Sequence, residues 1–206
     1  LAGGGLLSAN LFQRRISNLM RSVVTLESVS WSPVPRYVAR QQNIGDATTR
    51  GLELETKFAL DQALDGAPRI ELRANLSLYR SRVAVVPGPD NRLDQQAGAT
   101  GNLGADYRFR DAPLRALTVG GNLNWVPGYE TQLAADQRTG VSTKRVFDLF
   151  GLWTFSPAVA LRLSASNLAP LDHESRNTIS TADRVETARS FGPSETNWQA
   201  RLELKL

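Results

Sequence analysis

The sequence has no cysteine, which excludes disulfides and thiolate metal sites. It has one histidine, His173, so a catalytic nucleophile would find no second imidazole to serve it. No stretch approaches the about 18 consecutive apolar residues of a membrane-crossing helix. The net charge is only +4 over 206 residues, and the basic residues are scattered, which argues against a nucleic-acid partner. Gly3, Gly4 and Gly5, and again Gly120 and Gly121, lack the Lys-Ser/Thr of a phosphate loop. Asn75-Leu76-Ser77 matches a glycosylation pattern but falls within a strand. The opening Leu1-Ala2-Gly3-Gly4-Gly5 has neither an initiator methionine nor the basic region of an export signal, so the expectation is a fragment whose signal lies upstream.

What is present is alternation. A period of two predicts an all-β, antiparallel chain of about eight strands. The expected strands are 5–15 (extending through 23–28), 37–60 with a bend near Gly45, 69–85, 100–110, 116–129, 143–155, 159–171 and 197–206. One face of the last seven carries Leu52, Leu54, Thr56, Phe58 and Leu60; Ile70, Leu72, Ala74, Leu76 and Leu78; Leu103, Ala105, Tyr107 and Phe109; Leu117, Val119, Gly121, Leu123 and Trp125; Phe147, Leu149, Gly151, Trp153 and Phe155; Val159, Leu161, Leu163 and Ala165; and Trp198, Ala200, Leu202, Leu204 and Leu206. None of these is charged. The interleaved positions hold Glu53, Glu55, Lys57, Glu71, Arg73, Asp106, Arg108, Asp148, Arg162, Arg201, Glu203 and Lys205.

A charge facing lipid at mid-bilayer costs about 2–4 kcal/mol, and a charge-free face is what lipid enforces. A soluble sheet with one buried face also alternates, and three features separate the two. The connections alternate between short (61–68, 111–115, 156–158) and long and polar (87–99, 130–142, 172–196), as the turns and external loops of a membrane barrel do. Trp125, Tyr129, Phe147 and Trp198 mark the long-loop end of the apolar stripe, and Phe58, Tyr107, Phe109, Trp153 and Phe155 the short-turn end, a double aromatic girdle. From Phe147 to Phe155 the strand covers about 26 Å, enough when tilted for most of an apolar band about 25 Å tall. The last strand ends without a tail, which suits pairing with the first. The fold expected is an antiparallel transmembrane β-barrel.

Three stretches carry a family likeness. Asn43-Ile44-Gly45-Asp46-Ala47-Thr48-Thr49-Arg50-Gly51-Leu52-Glu53-Leu54-Glu55 resembles the Asn-x-Gly-x-Ala then Gly-x-Glu-x-Glu strand of TonB-dependent outer-membrane receptors. Leu161-Arg162-Leu163-Ser164-Ala165-Ser166-Asn167-Leu168 is similar to their penultimate strand, and Trp153-Thr154-Phe155-Ser156-Pro157 to the short turn before it. The sequence departs from the family at Leu206, where an aromatic is usual, and at Ala169, where Phe is common. The resemblance implies that these strands are the C-terminal part of a barrel of about 22 strands around a plug. It also implies a bacterial outer-membrane location, the plug domain, TonB and membrane lipid as partners, and energy-dependent uptake of a scarce ligand such as a ferric siderophore. Arg73, Arg108, Glu53 and Glu55 would then face a wetted lumen.

No catalytic constellation and no cofactor are read from the sequence, and the expectation is not an enzyme. His173 lies in a polar loop between Asp172 and Glu174 and reads as a solvated side chain. Ligand contacts in such a receptor would come from Arg82, Asp90, Asn91, Arg92, Tyr129, Arg138 and Arg184, whose arginines could hold an anionic siderophore. Taken singly, each reads first as ordinary solvated loop polarity. The competing reading is a self-contained eight-stranded outer-membrane barrel with a structural or adhesion role.

Overall fold

A computed structural model describes residues 4–110 and 116–205. The expected short turn at 111–115 and the expected outward Leu206 lie outside them. Fourteen strands follow in chain order: β1 Leu6–Ile16, β2 Met20–Glu27, β3 Arg36–Asn43, β4 Ala47–Ala59, β5 Ile70–Val83, β6 Ala99–Arg108, β7 Leu117–Val126, β8 Tyr129–Ala134, β9 Gln137–Val141, β10 Lys144–Ser156, β11 Val159–Ser166, β12 His173–Ser180, β13 Val185–Gly192 and β14 Asn197–Leu204. Eight form one antiparallel wall in the order β1-β4-β5-β6-β7-β10-β11-β14. The other six form a four-stranded sheet, β13-β12-β9-β8, and a β2–β3 ribbon.

The wall obeys the predicted faces. Leu54 pairs with Leu76, Ala74 with Leu103, Leu103 with Leu123, Leu149 with Gly121, Gly151 with Leu163 and Leu163 with Ala200. A one-residue slip would exchange the faces, and the wall pairs keep register except at the very end of β10, where a bulge between Thr154 and Ser156 shifts the pairing with β11. The apolar face is not covered. Leu103 is 53% exposed and Leu202 60%, values that a sheet packed on a protein layer would not leave. The buried apolar cluster lies at the end of the wall, where Ala47 and Val83, the terminal residues of β4 and β5, and Val86 pack against Ile16, Leu19, Ile44 and Leu93.

The opposite face is polar and internally paired. Arg73 meets Asp106 at 2.6 Å. Glu53 accepts hydrogen bonds from Asn10 and from the Tyr79 hydroxyl, both at 3.0 Å. The Arg162 guanidinium lies over the Phe150 ring at 4.3 Å, a favourable placement of a cation on an aromatic quadrupole. Gly51 makes room on this face, because a Cβ there would meet the Phe12 and Tyr79 rings within 2.8 Å.

Several expectations are corrected. Residues 37–60 are not one bent strand: β3 belongs to the ribbon, and Gly45, at φ +86°, separates it from β4. Residues 23–28 do not extend the first strand but fold back as β2. Strand seven stops at Ser166, because Asn167 turns the chain at φ +57°. The polar segments expected as loops at 130–142 and 172–196 are largely strands. They lack an apolar face, so periodicity could not mark them. The wall is open, with β1 and β14 at its two edges and no pairing between them. The alternative of a self-closed eight-stranded barrel requires that pairing.

Candidate functional site

The wall strands are joined at one end by short links, such as the 3-10 turn Leu60–Gln62 between β4 and β5. At the other end stand the ribbon, the segment 84–98 and the four-stranded sheet. This upper assembly holds the candidate site.

Arg21, in β2, ties it together. Its side chain is 1% exposed and meets Asp94 at 2.5 Å. It also donates to the carbonyls of Leu133, at 2.9 Å, and Arg92, at 3.1 Å. One guanidinium thus joins three segments far apart in sequence, its donors spread over separate nitrogens of a planar fork where a lysine has a single ammonium. Gln137 adds a hydrogen bond from β9 to the Val24 carbonyl. Asn91 folds segment 84–98 upon itself, donating to Val86 O at 2.7 Å and Val83 O at 3.3 Å.

Below this knot lies a cavity of about 650 Å³, lined by Asp90, Arg92, Tyr129, Glu130, Ser142, Thr143 and Arg176 with backbone from Gly98 and Gly128. Its charges are matched. Arg92 meets Asp90 at 3.1 Å, and Glu130 takes Arg138 at 3.2 Å and Arg176 at 3.7 Å. Burial pushes the Tyr129 phenol up from its ordinary value, and the Arg92 charge opposes that shift. The phenol therefore stays protonated through neutral pH and can donate a hydrogen bond. A polar or anionic ligand entering here would meet two guanidiniums and a phenol, in competition with the Asp90 and Glu130 carboxylates.

Of the sequence candidates, Asp90, Arg92 and Tyr129 line this cavity together, and Arg138 borders it through Glu130. Asn91 is buried and committed to the backbone of its own segment. Arg184 stands at the β12–β13 turn, where it pairs with Glu186 and bonds Tyr37. Arg82 lies apart, exposed on the same face of the wall as Leu78. Glu130, Ser142 and Arg176 were missed. Their only sequence signal was charge alternation in Glu174–Arg176 and Glu130–Arg138, in stretches that read as loop. His173 lies 3.5 Å from Ser142 Oγ, and no metal-ligating cluster occurs among the described residues. A second, strongly apolar hollow of about 590 Å³ involves Leu149, Leu163, Ala165 and Trp198. It is part of the uncovered apolar face rather than of the polar site.

No match was found among curated proteins or among solved structures. Residues 1–168 match the family described as TonB dependent receptor-like, beta-barrel, a span that takes in seven of the eight wall strands, the three stretches of family likeness and the cavity's walls except Arg176. On that match, over most of its length, the chain belongs to the TonB-dependent receptor-like β-barrel family.

Proposed function

We propose that the chain forms a sector, C-terminal in the whole receptor, of an outer-membrane barrel that takes up a scarce ligand by TonB coupling. The observation that carries this reading is the uncovered apolar face, free of charge between its end rows, registered across the wall strands and flanked by aromatics. Such a face is costly in water and favourable in lipid. The free edges support the sector. An edge strand leaves about half of its backbone groups unpaired, and each unpaired group in hydrocarbon costs several kcal/mol. Further strands pairing with β1 and β14 would satisfy them, and a plug would fill the lumen against Arg73, Asp106 and Glu53.

The upper cavity is the ligand-facing candidate, and its paired arginines with Tyr129 fit an anionic chelate such as a ferric siderophore. The test is uptake of a panel of radiolabelled ferric siderophores by cells with and without the gene, in backgrounds with and without active TonB. The expected result is loss of one ligand's uptake in both deletions. Unchanged uptake of the whole panel would refute the siderophore assignment. Recovery of the protein outside the outer-membrane fraction would refute the barrel reading itself.

A further inference from the structure

The uppermost leucine row on the apolar face is Leu11, Leu52 and Leu78, aligned across β1, β4 and β5. The next row on the same face reads Gln13, Arg50 and Arg80, and the row after it Arg15, Thr48 and Arg82. Four arginines thus crown the lipid-directed face at the long-loop end. All four are exposed, and none pairs with a carboxylate among the described residues. Arg50 and Arg80 stand directly opposite one another. Like charges in that relation destabilise a sheet, so the pair is poised for an anion. Between the rows lies a hollow of about 280 Å³ bordered by Gln13, Thr48, Arg50, Arg80 and Arg82.

Position decides what that anion is. The two arginine rows lie about 7 and 14 Å beyond the leucines along the strands, and about 5 and 10 Å in height once the strands are tilted. A bilayer's headgroup layer adds about 5–8 Å to each side of its hydrocarbon core. Arg50 and Arg80 therefore fall at headgroup level, and Arg15 and Arg82 at its outer edge, from which their long side chains reach back to it. They also point away from Glu53 and Tyr79, which lie on the polar face, so they cannot serve a ligand passing through the lumen. Elsewhere on this rim, β7, β10 and β14 present Trp125, Phe147 and Trp198 at their upper ends, with a single arginine, Arg145, opposite Trp125, so aromatics rather than clustered charge anchor it there.

We propose that Arg15, Arg50, Arg80 and Arg82 form a binding site for the phosphates of a phosphorylated glycolipid in the outer leaflet, engaged from outside the barrel wall. Forked guanidiniums match phosphate oxygens two by two, and the leucines beneath them would take the acyl chains. This rests on the outer-membrane reading above. It also gives Arg82 a partner other than a transported ligand.

The test uses the protein extracted from outer membranes in mild detergent, first shown to be folded by heat-modifiable migration. Titration with fluorescent bisphosphorylated lipid A should show saturable binding, weakened about tenfold or more when the lipid's phosphates are removed. R50Q/R80Q and R15Q/R82Q should each weaken binding by a similar factor, while R50K/R80K recovers part of it. Equal binding of the intact and dephosphorylated lipids would overturn the proposal, and that comparison needs no variant to fold. Complete displacement by millimolar inorganic phosphate would also overturn it, by marking a free-anion site. A protein absent from the outer membrane would remove the membrane reading and this inference with it. A membrane-embedded protein whose binding ignores the phosphates would remove this inference alone.

Discussion

Replacing Leu163 by arginine and, separately, its neighbour Ser164 by arginine asks the sharpest question of the wall. Leu163 is 54% exposed on the apolar face, between Gly151 and Ala200. Its row lies midway between Phe147 and Phe155, so it falls near the bilayer centre. Ser164 sits one residue on, between Phe150 and Gln199, on the polar face. In lipid, Leu163→Arg should cost about 2–4 kcal/mol, which lowers the folding equilibrium constant about thirty- to several-hundred-fold. Ser164→Arg adds a charge to a face that already carries Arg162 and should stay within about 0.5 kcal/mol. In water the order would vanish, because a half-exposed leucine can become arginine at little cost. The assay is reversible folding of the protein into fluid phosphatidylcholine vesicles, followed by urea titration. Equal costs for the two substitutions, or a neutral Leu163→Arg, would refute the lipid-facing assignment.

Three further outcomes follow from named contacts. Arg21→Met strips the Leu133 and Arg92 carbonyls of their donor, at about 1–3 kcal/mol each, while half-exposed Asp94 rehydrates. Hydrogen exchange should therefore rise across segment 84–98 and β2 and stay unchanged in β5 to β7. Gly120→Val forces a branched side chain against the Phe150 ring and the Asp106 carboxylate and should lower folded stability by about 1–3 kcal/mol. Gly151→Ala meets nothing closer than Leu117 at 3.8 Å, so its urea midpoint should not move. The Arg40 hydrogen bond, aided by Thr25, holds the Glu27 carboxyl below the usual glutamate range. Its pairing thus stabilises the β2–β3 ribbon above the unfolded glutamate pKa and is lost as pH falls through the lower, folded value. An isotope-edited titration of Glu27 should show that low midpoint, and Arg40→Gln should raise it.

The wall was legible because lipid and water impose opposite demands on alternate residues. Leu117, Val119, Gly121, Leu123 and Trp125 announce a face that Thr118, Asn122 and Asn124 contradict at every step. The upper sheet offers no such contrast. His173–Ser180 and Val185–Gly192 pair residue for residue, yet polar side chains occupy both faces, and Thr178 meets Thr187 at 3.1 Å rather than an apolar partner. Their pairing is set by backbone and by Arg176 reaching Glu130 and Glu174, which no local pattern displays. The candidate cavity suffered the same way. Asp90, Arg92 and Tyr129 were accessible as polar residues near strand ends, but Arg176 comes from far along the chain and is brought in only by the β9–β12 pairing.

Two of the three stretches that carried the family likeness, 43–55 and 161–168, include the places where the chain leaves or enters the wall; the third, 153–157, is the tight link between β10 and β11. Asn18, at φ +56°, and Gly45, at φ +86°, turn the backbone out of β1 and into β4. Asn43 donates to the Asn18 side chain at 2.9 Å, and its own oxygen accepts from Gly45 N at 2.9 Å. Leu19 N donates to Gly45 O at 2.7 Å, and Ile44 N to Leu19 O at 2.8 Å. The result is a closed ring of hydrogen bonds at the root of the ribbon. Asparagine and glycine are required there, because only they enter the left-handed region at low cost, and asparagine also satisfies the freed backbone groups. Asn167 repeats the solution on β11. At φ +57° its amide donates to Asp148 at 2.9 Å, and its side chain donates to Ser194 and the Glu195 carbonyl. The likeness at 43–55 and 161–168 therefore marks hinges that hand β4 and β11 over to the upper assembly, which is why it reports the architecture, while the candidate cavity is built from side chains outside those stretches.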